Sequence, residues 1–477
     1  MIHQTDHDIW PWKVEEIIEA TDGRLFGELG TEFDYLSTDS RSIDAHAAFI
    51  ALKGESHDGH RFVDDVIKKG VRLAIVSDSP EYKDLRQEWL YKGITLIIVS
   101  DTLKALGDLA RHRRKAAKAR VVAITGSNGK TTTKEMIVNV LSQKYATHFS
   151  RGNFNNEIGL PLSIFNMSRN HETAVFELGM NHPGEMGRLG AICLPDIAVI
   201  TNVAPAHLEG LGSIQAVADA KGELLDALTA EGKAVLYADD AMVMTQNKRG
   251  KGKAVLYGSG DECHVRAENI FEEDEKVHFT MVMGGEGIME TSFDVVLDTP
   301  GLFMVNNALA AAVTGALCGI SPEEIKRGLE GFSPVAGRLN IKYTGGGITI
   351  IDDTYNANPG SMKAALLSLS GIKKGKRPVF IMGDMLELGE KSKAFHSEIG
   401  AFAFKCGVIK LYLTGNFKES VKEGAIKAGM PEKDIMTGDK EELVEILRND
   451  IQPTDKVLVK GSRGMRMETV VDALLTL

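Results

Sequence analysis

Up to about residue 100, apolar positions come in short unbroken runs. AAFIAL (47–52) and ITLIIVS (94–100) predict buried strands, and EWLYKG (88–93) reads as helical sequence between them. From residue 121 the rhythm becomes regular. VVAIT (121–125) predicts a strand, and KTTTKEMIVNVLSQ (130–143) gathers Met136, Ile137, Val140 and Leu141 on one helical face. TAVFELG (173–179) and IAVITNV (197–203) continue the strands, and a helix follows from Ser213. Such alternation predicts a mainly parallel sheet. Residues 251–300 break it with alternating, glycine-interrupted segments that suggest an inserted antiparallel patch. A separate α/β unit starts near Phe332. GITIIDD (347–353), RPVFIMGD (377–384), IKLYLTG (409–415) and DKVLVKG (455–461) read as four strands, each followed by helical sequence.

A chain of 477 residues exceeds one ordinary core, and about three domains are expected. The expected fold is α/β throughout. A small N-terminal α/β domain spans 1–100, a central P-loop mononucleotide-binding parallel sheet spans 101–331, and a C-terminal Rossmann-like α/β domain spans 332–477.

Charge and composition narrow the function. A net charge of -11 argues against non-specific nucleic-acid binding, though a local basic pocket for anionic substrates is compatible with it. The basic run Arg111–Arg120 ends the helical sequence TLKALGDLARHRRKAAKAR and reads as a solvated helix face. Four cysteines without a CxxC pair indicate neither a disulfide framework nor a zinc ribbon, and fit a reducing compartment. The N-terminus, MIHQTDHDIWPWKVEE, is too polar and acidic for a secretory signal, and no run of about 18 apolar residues predicts a membrane span. A cytoplasmic protein is expected.

The chemistry concentrates in AITGSNGKTTTKE (123–135). A glycine loop between a buried strand and a helix start lets backbone N–H groups face a phosphate, which the helix N-terminus also favours. Lys130 supplies a cation for the β and γ phosphates, and the Thr131 hydroxyl suits Mg²⁺. The spacing departs from GxxxxGK[ST]: the first glycine falls at Gly126, two residues late, so the loop is a shortened variant. Glu177 ends one strand and His207 follows another. At the carboxyl end of an open α/β sheet, both can join Thr131 around Mg²⁺. Lys221 shares a helical stripe with Ile214, Val217, Ala218, Leu224 and Leu225. It either snorkels to the rim or is desolvated. A desolvated lysine has a depressed pKa, and its neutral amine can take up CO₂ as a carbamate, an anionic oxygen ligand for Mg²⁺. A phosphate cradle also serves signalling switches, but the guanine-reading NKxD pattern is absent and such a switch leaves Glu177, His207 and Lys221 without a task.

TGSNGKTT, NFNNEIGLPLS (153–163), ELGMNHPGEM (177–186), TNVAPAHLEGLGS (201–213), AKGEL (220–224), NNALAAA (306–312) and DDTYNANPGSM (352–362) resemble the Mur ligases of peptidoglycan synthesis, across all three blocks. The long NFNNEIGLPLS and DDTYNANPGSM segments resemble the branch that adds a dipeptide. The resemblance implies an ATP-dependent ligase acting in cell-wall biogenesis, and so in cell shape and cell division. The terminal carboxylate of UDP-MurNAc-tripeptide becomes an acyl phosphate, which the amine of D-Ala-D-Ala then attacks. The alternative is a sister ligase, or one of the folylpolyglutamate type, adding a single amino acid. Catalysis then rests on Lys130, Lys221 and His207. Thr125, Gly126, Ser127, Asn128, Gly129, Lys130, Thr131 and Thr132 hold ATP. Thr131, Glu177, His207 and a carbamylated Lys221 surround Mg²⁺. Asn307 contacts adenine, Arg338 reaches the phosphates across a domain interface, and Asp353 binds ribose. STDSR (37–41) and ALKGESHDGHRF (51–62) look like the uridine-nucleotide segment, with Ser40 and Arg41 as contacts. Asn356 and Asn358 are substrate-side contacts, and Asp384 and Arg463 are weaker candidates of that kind. Asn-Pro at 358–359 also reads simply as a turn before a helix. One departure stands out: where these ligases often carry His-Asn ahead of the adenine asparagine, this chain has Phe303 and Met304. A monomer is expected.

Overall fold

The computed structural model describes residues 10–28, 32–54, 57–250, 254–371 and 377–476. The N-terminus through Ile9, and Glu55 and Ser56 within the expected uridine segment, lie outside them.

The first sheet orders its strands as Arg24–Phe26, Thr95–Val99, Leu73–Ser77, Ala47–Ile50 and Tyr35–Ser37. Only Arg24–Phe26 runs antiparallel to its neighbour. Ala47–Ile50 is buried along its whole length. That two-sided burial is why parallel strands read as unbroken apolar runs. The helix Thr102–Ala116 covers one face through Ala105, Leu106 and Leu109, packed with Trp12, Ile17 and Ile97.

The solvated reading of the basic run is corrected at two positions. Arg113 and Arg114 are buried. The Arg113 guanidinium lies over the Trp12 ring at 3.8 Å and donates to the Trp10 carbonyl at 2.7 Å. Arg114 donates to the Cys193 and Leu194 carbonyls and to the Asp196 carboxylate. Charge on a helix end can be buried where unpaired carbonyls wait for donors. Arg111, Lys115, Lys118 and Arg120 are exposed, as expected.

The nine-stranded central sheet is parallel from Thr147–Phe149 at one edge as far as Val265–Glu273. Lys276–Met283 and Thr291–Leu297 then extend it antiparallel. The 251–300 region is therefore continuous with this sheet. Lys276–Met283 alternates buried and accessible positions, hence its period of two. Arg120–Thr125 lies between Thr173–Glu177 and Ile197–Ile200, and the carboxyl ends of these three strands open one crevice.

The third sheet runs Asn340–Tyr343, Thr349–Asp353, Asp455–Lys460, Arg377–Met382, Lys410–Leu413 and Ile435–Thr437. All four predicted strands form its centre. Asn340–Tyr343, which pairs antiparallel, and Ile435–Thr437 are edge strands too short to show a pattern. One apolar cluster runs from Ile124 and Leu309 in the second unit to Met362, Phe380 and Leu458 in the third. All four cysteines are free thiols. Among the described residues no helix is long and apolar enough to cross a membrane.

Candidate active site

The crevice at the strand ends widens into a cleft of about 750 Å³, closed on the far side by the third unit. The phosphate loop forms its floor. Gly126 and Gly129 adopt φ of 153° and 79°. A Cβ at Gly126 would lie 1.9 Å from Thr201 Oγ1, and one at Gly129 would lie 2.5 Å from Asn307 Oδ1. Both positions therefore exclude side chains for steric and backbone reasons together. The loop is braced from the strand end at Ile200. Ser127 N–H donates to the Asn202 carbonyl at 2.9 Å, and Asn128 N–H to Asn202 Oδ1 at 2.9 Å. Thr201 Oγ1 donates to the Asn128 carbonyl at 2.6 Å. Thr125 is buried, its hydroxyl donating to the Leu178 carbonyl, and Thr132 is buried against the cleft.

Lys130 curls back so that Nζ donates to the Gly126 carbonyl at 2.8 Å. Burial pulls its ammonium below the usual lysine value, while Glu177 opposes that shift. Glu177 is 4% exposed and accepts from Thr131 Oγ1 at 2.6 Å and from Asn155 Nδ2 at 3.0 Å. Burial pushes its carboxyl up, but Lys130 and Arg338, with these two hydrogen bonds, bring it below the ordinary glutamate value. Thr131 and Glu177 thus present hard oxygen donors beside a cation.

Lys221 is 2% exposed on the buried face of the helix Ile214–Asp226. Of the two readings the sequence allowed, desolvation is the one observed. Burial, with the charge of Lys130 nearby, pulls its amine well below the ordinary lysine value. His207 lines the cleft at φ 55°, but Nδ1 pairs with Glu387 Oε2 of the third unit at 2.7 Å. Among the described residues no group of three or more His, Cys, Asp or Glu side chains converges as a metal site. Glu177 and His207 are the two members of the expected set of those types.

The opposite wall comes from the third unit. Arg338 lies over the Tyr355 ring at 4.2 Å and faces the charges of Lys130 and Glu177. Asp353 has both oxygens engaged: Oδ1 accepts from Leu339 N–H at 3.2 Å and Oδ2 from Lys460 Nζ. Asn358 caps the helix Pro359–Ser370 through Ser361 N–H, and its Nδ2 donates to Asn128 Oδ1 at 2.7 Å. It therefore tethers the third unit to the phosphate loop. Asn356 is exposed at the cleft, and Arg463 lines it with its guanidinium donating to Glu468. Asn307 is 7% exposed, its amide oxygen accepting from Thr133 Oγ1 at 3.1 Å.

Three expected residues stand apart. Ser40 and Arg41 do not line the cleft, and Arg41 pairs with Asp39 at 2.9 Å on the surface of the first unit. Asp384 is buried and accepts from Asn416 and Phe417 N–H groups, a loop-fixing role. Sequence reasoning left Asn155, Asn202, Tyr237, Asn306, Glu387 and Lys460 unassigned, although all six line the cleft. Asn202 and Lys460 follow or end strands as Glu177 does, so the same position rule reaches them. Glu387 carries no local signal.

Three family models match the chain: a Mur ligase family catalytic domain over 32–114, a Mur ligase middle domain over 124–315, and a Mur ligase glutamate ligase domain over 337–463. The UDP-N-acetylmuramoyl-tripeptide–D-alanyl-D-alanine ligase of Bacillus subtilis is 36% identical over 92% of this chain and 93% of its own. That of Escherichia coli is 36% identical over 97% and 98%. The crystal structure of MurF from Acinetobacter baumannii superposes with a TM-score of 0.88 at 33% identity, covering 98% of this chain and 100% of that one. MurF ligase from Thermotoga maritima, solved in complex with ADP, gives 0.80 at 26% identity over 93% and 97%. A Mycobacterium tuberculosis folylpolyglutamate synthase, at 15% identity, shares the fold.

Proposed function

The chain belongs to the Mur ligase family, and within it we propose that this enzyme joins D-Ala-D-Ala to UDP-MurNAc-tripeptide, splitting ATP to ADP and phosphate. Relatives that are 36% identical over nine-tenths of both chains carry that activity in their names, whereas ligases that add a single amino acid share the fold at 15–18% identity. The observation that carries the reading is the facing of the phosphate loop and Arg338 across one cleft between two α/β units.

The tripeptide carboxylate and the triphosphate are both anions, so bringing them in line needs positive charge and fixed geometry before it needs a base. The N–H groups that open the helix Lys130–Leu141 and the Lys130 ammonium hold the phosphates from below, and Arg338 approaches from above. The carboxylate oxygen attacks the γ-phosphorus, the bond to the β-phosphate oxygen breaks, and ADP leaves. The dipeptide amine then attacks the acyl carbon and expels inorganic phosphate. Thr131, Glu177, His207 and carbamylated Lys221 would hold Mg²⁺. The Thr131–Glu177 oxygen pair suits that hard cation, and His207 would exchange its present partner Glu387. When bound, Mg²⁺ neutralises charge on the phosphates. The carbamate forms as the neutral Lys221 amine adds to CO₂ and releases one proton. Asp353 serves the ribose side, and Ser40 and Arg41 the uridine nucleotide. Asn356 serves the acceptor side as a monomeric, cytoplasmic enzyme closes its domains.

Phosphate release tests this directly. It is expected only when UDP-MurNAc-tripeptide and D-Ala-D-Ala are both present. ATP turnover without either, or a preference for single amino acids over the dipeptide, overturns the assignment.

A further inference from the structure

Among the described residues, the lysines and arginines that line the cleft are Lys130, Arg338, Lys460 and Arg463. In the ligase reading Lys130 and Arg338 serve the phosphates. Lys460 is 2% exposed, its Nζ pairing with Asp353 Oδ2 and donating to the Asn356 carbonyl at 2.9 Å. Its charge is neutralised within the third unit. Arg463 is left, and it is built differently. It follows the strand Asp455–Lys460, and its side chain is 66% exposed. Nη1 donates to Glu468 Oε1 at 3.1 Å, and no other acceptor for the guanidinium is found among the described residues. An arginine carries five N–H donors in a planar fork, so most of this fork is available to a ligand while Glu468 holds one edge of it.

Tyr355 joins the two arginines of this wall. The Arg338 guanidinium lies 4.2 Å from its ring centroid and that of Arg463 lies 5.8 Å from it. Tyr355 N–H donates to the Gly337 carbonyl at 3.0 Å, which ties the ring to the turn that carries Arg338. The wall thus runs from a reaction-side cation, past an aromatic surface, to a second cation. The acceptor dipeptide has the same order of chemistry. Its amine must reach the acyl carbon beside Arg338, its methyl groups are apolar, and its far end is a carboxylate.

We propose that Arg463 reads the terminal carboxylate of D-Ala-D-Ala and so sets the length of the accepted amine. A guanidinium fork matches a carboxylate through two parallel N–H···O bonds. The carboxylate of a dipeptide lies about 3.5 Å farther from the amine than that of a single amino acid. With its amine at the acyl carbon, a single amino acid ends short of Arg463 and a dipeptide reaches it. The inference rests on the D-Ala-D-Ala ligase reading and adds the residue that selects the dipeptide.

The test is kcat/KM, from phosphate release by the full chain with ATP and UDP-MurNAc-tripeptide saturating, for three acceptors. These are D-Ala-D-Ala, its C-terminal carboxamide, which keeps the length and loses the charge, and D-Ala. The wild type should favour the dipeptide over its carboxamide at least about tenfold, the scale of one charge-assisted bidentate pair. Arg463→Ala should bring this ratio within about twofold of unity by raising KM for the dipeptide, and should narrow the preference over D-Ala by the same factor. Arg463→Lys keeps the charge without the fork and should fall between. KM for ATP and for UDP-MurNAc-tripeptide should stay within about twofold of wild type. A merely structural role would slow the dipeptide and the carboxamide equally. If the alanine variant does not fold, the wild-type ratio and Arg463→Lys decide the matter. Equal rates for dipeptide and carboxamide in the wild type, a wild-type ratio in the variants, or a rise in KM for ATP or the tripeptide in place of the dipeptide overturns this inference alone. No ligation of D-Ala-D-Ala by the wild type, or a preference for D-Ala, overturns the ligase reading and this inference with it.

Discussion

The amine of Lys221 is set in a helix face otherwise built from Val217, Ala218, Leu224 and Leu225, with Lys130 as its charged neighbour. Both burial and that neighbouring charge favour the neutral amine, the form that adds to CO₂. Lys221→Ala is therefore expected to lower ligation at least about a hundredfold, the scale of losing one preorganised electrostatic group. Added short carboxylates should partly restore ADP formation, and wild-type activity in that variant removes the carbamate from the reaction. A second residue links burial to pH. Burial, followed by the neighbouring His171, pulls His148 down to about 4, while its Nε2 faces the Ser163 carbonyl. Its folded value lies below the unfolded one near 6.5, so the unfolded chain binds the extra proton first. The stability this neutral histidine contributes is complete above the unfolded value and is lost as pH falls toward 4. Melting curves at pH 7 and pH 5 should show a drop in Tm, and His148→Leu should flatten it. The residue scale is also where the sequence was least legible. Lys221 stood out because a charge interrupted an apolar stripe. Arg113 and Arg114 carried no comparable sign, because the carbonyls that receive them come from Trp10, Cys193 and Leu194, far away in the chain.

Helices and strands that are buried on a full face announced themselves. The strand–loop–helix from Arg120 to Leu141 was readable because its apolar run, its glycines and its helix face are all local. The four central strands of the third unit were readable for the same reason, and its two edge strands were not. The element whose role changes most is the helix Pro359–Ser370. Its first cap, Asn358, was expected to meet substrate, yet both ends of its amide serve structure: Oδ1 caps the helix and Nδ2 holds Asn128. Asn358→Ala should lose about 1 kcal/mol for the cap. It should also raise KM for ATP, because Asn128 loses its fixed partner within the phosphate loop. Asn358→Asp keeps the capping oxygen but sets a carboxylate against Asn128 Oδ1. It should preserve Tm while still raising KM. Equal KM values in the wild type and in Asn358→Asp would confine this residue to capping.

At the scale of the whole molecule, the second and third units touch at polar points around the cleft, and these are the contacts a closing motion must keep or exchange. His207–Glu387, joined by Glu209 N–H donating to the Glu387 carbonyl at 3.3 Å, and Asn128–Asn358 lie at the cleft. None of these was legible in the sequence, since each partner lies on a separate unit and its pairing depends on how two sheets are placed. A third contact sits away from the chemistry. The turn between Val265–Glu273 and Lys276–Met283 places Glu275 against the third unit, 3.2 Å from Lys456 Nζ and 2.8 Å from the Tyr343 hydroxyl. Lys456 is 2% exposed and ion-paired with that visiting carboxylate, with Glu272 as a more distant second. The Glu275 hydrogen bond, with burial, holds the Tyr343 hydroxyl up at about 12. Glu275→Ala strands a buried cation and frees the tyrosine. Removing one partner of a buried pair typically costs about 3–5 kcal/mol, and partial exposure of Glu275 together with Glu272 reduces this to about 2 kcal/mol. For units of this size that corresponds to a fall in Tm of about 4–8 °C. Glu275→Ala combined with Lys456→Met removes both charges and should recover most of the loss, because the unpaired charge rather than the missing attraction carries the cost. An unchanged Tm in Glu275→Ala, or a double variant no better than the single one, would show that the turn merely rests on the third unit and does not anchor it.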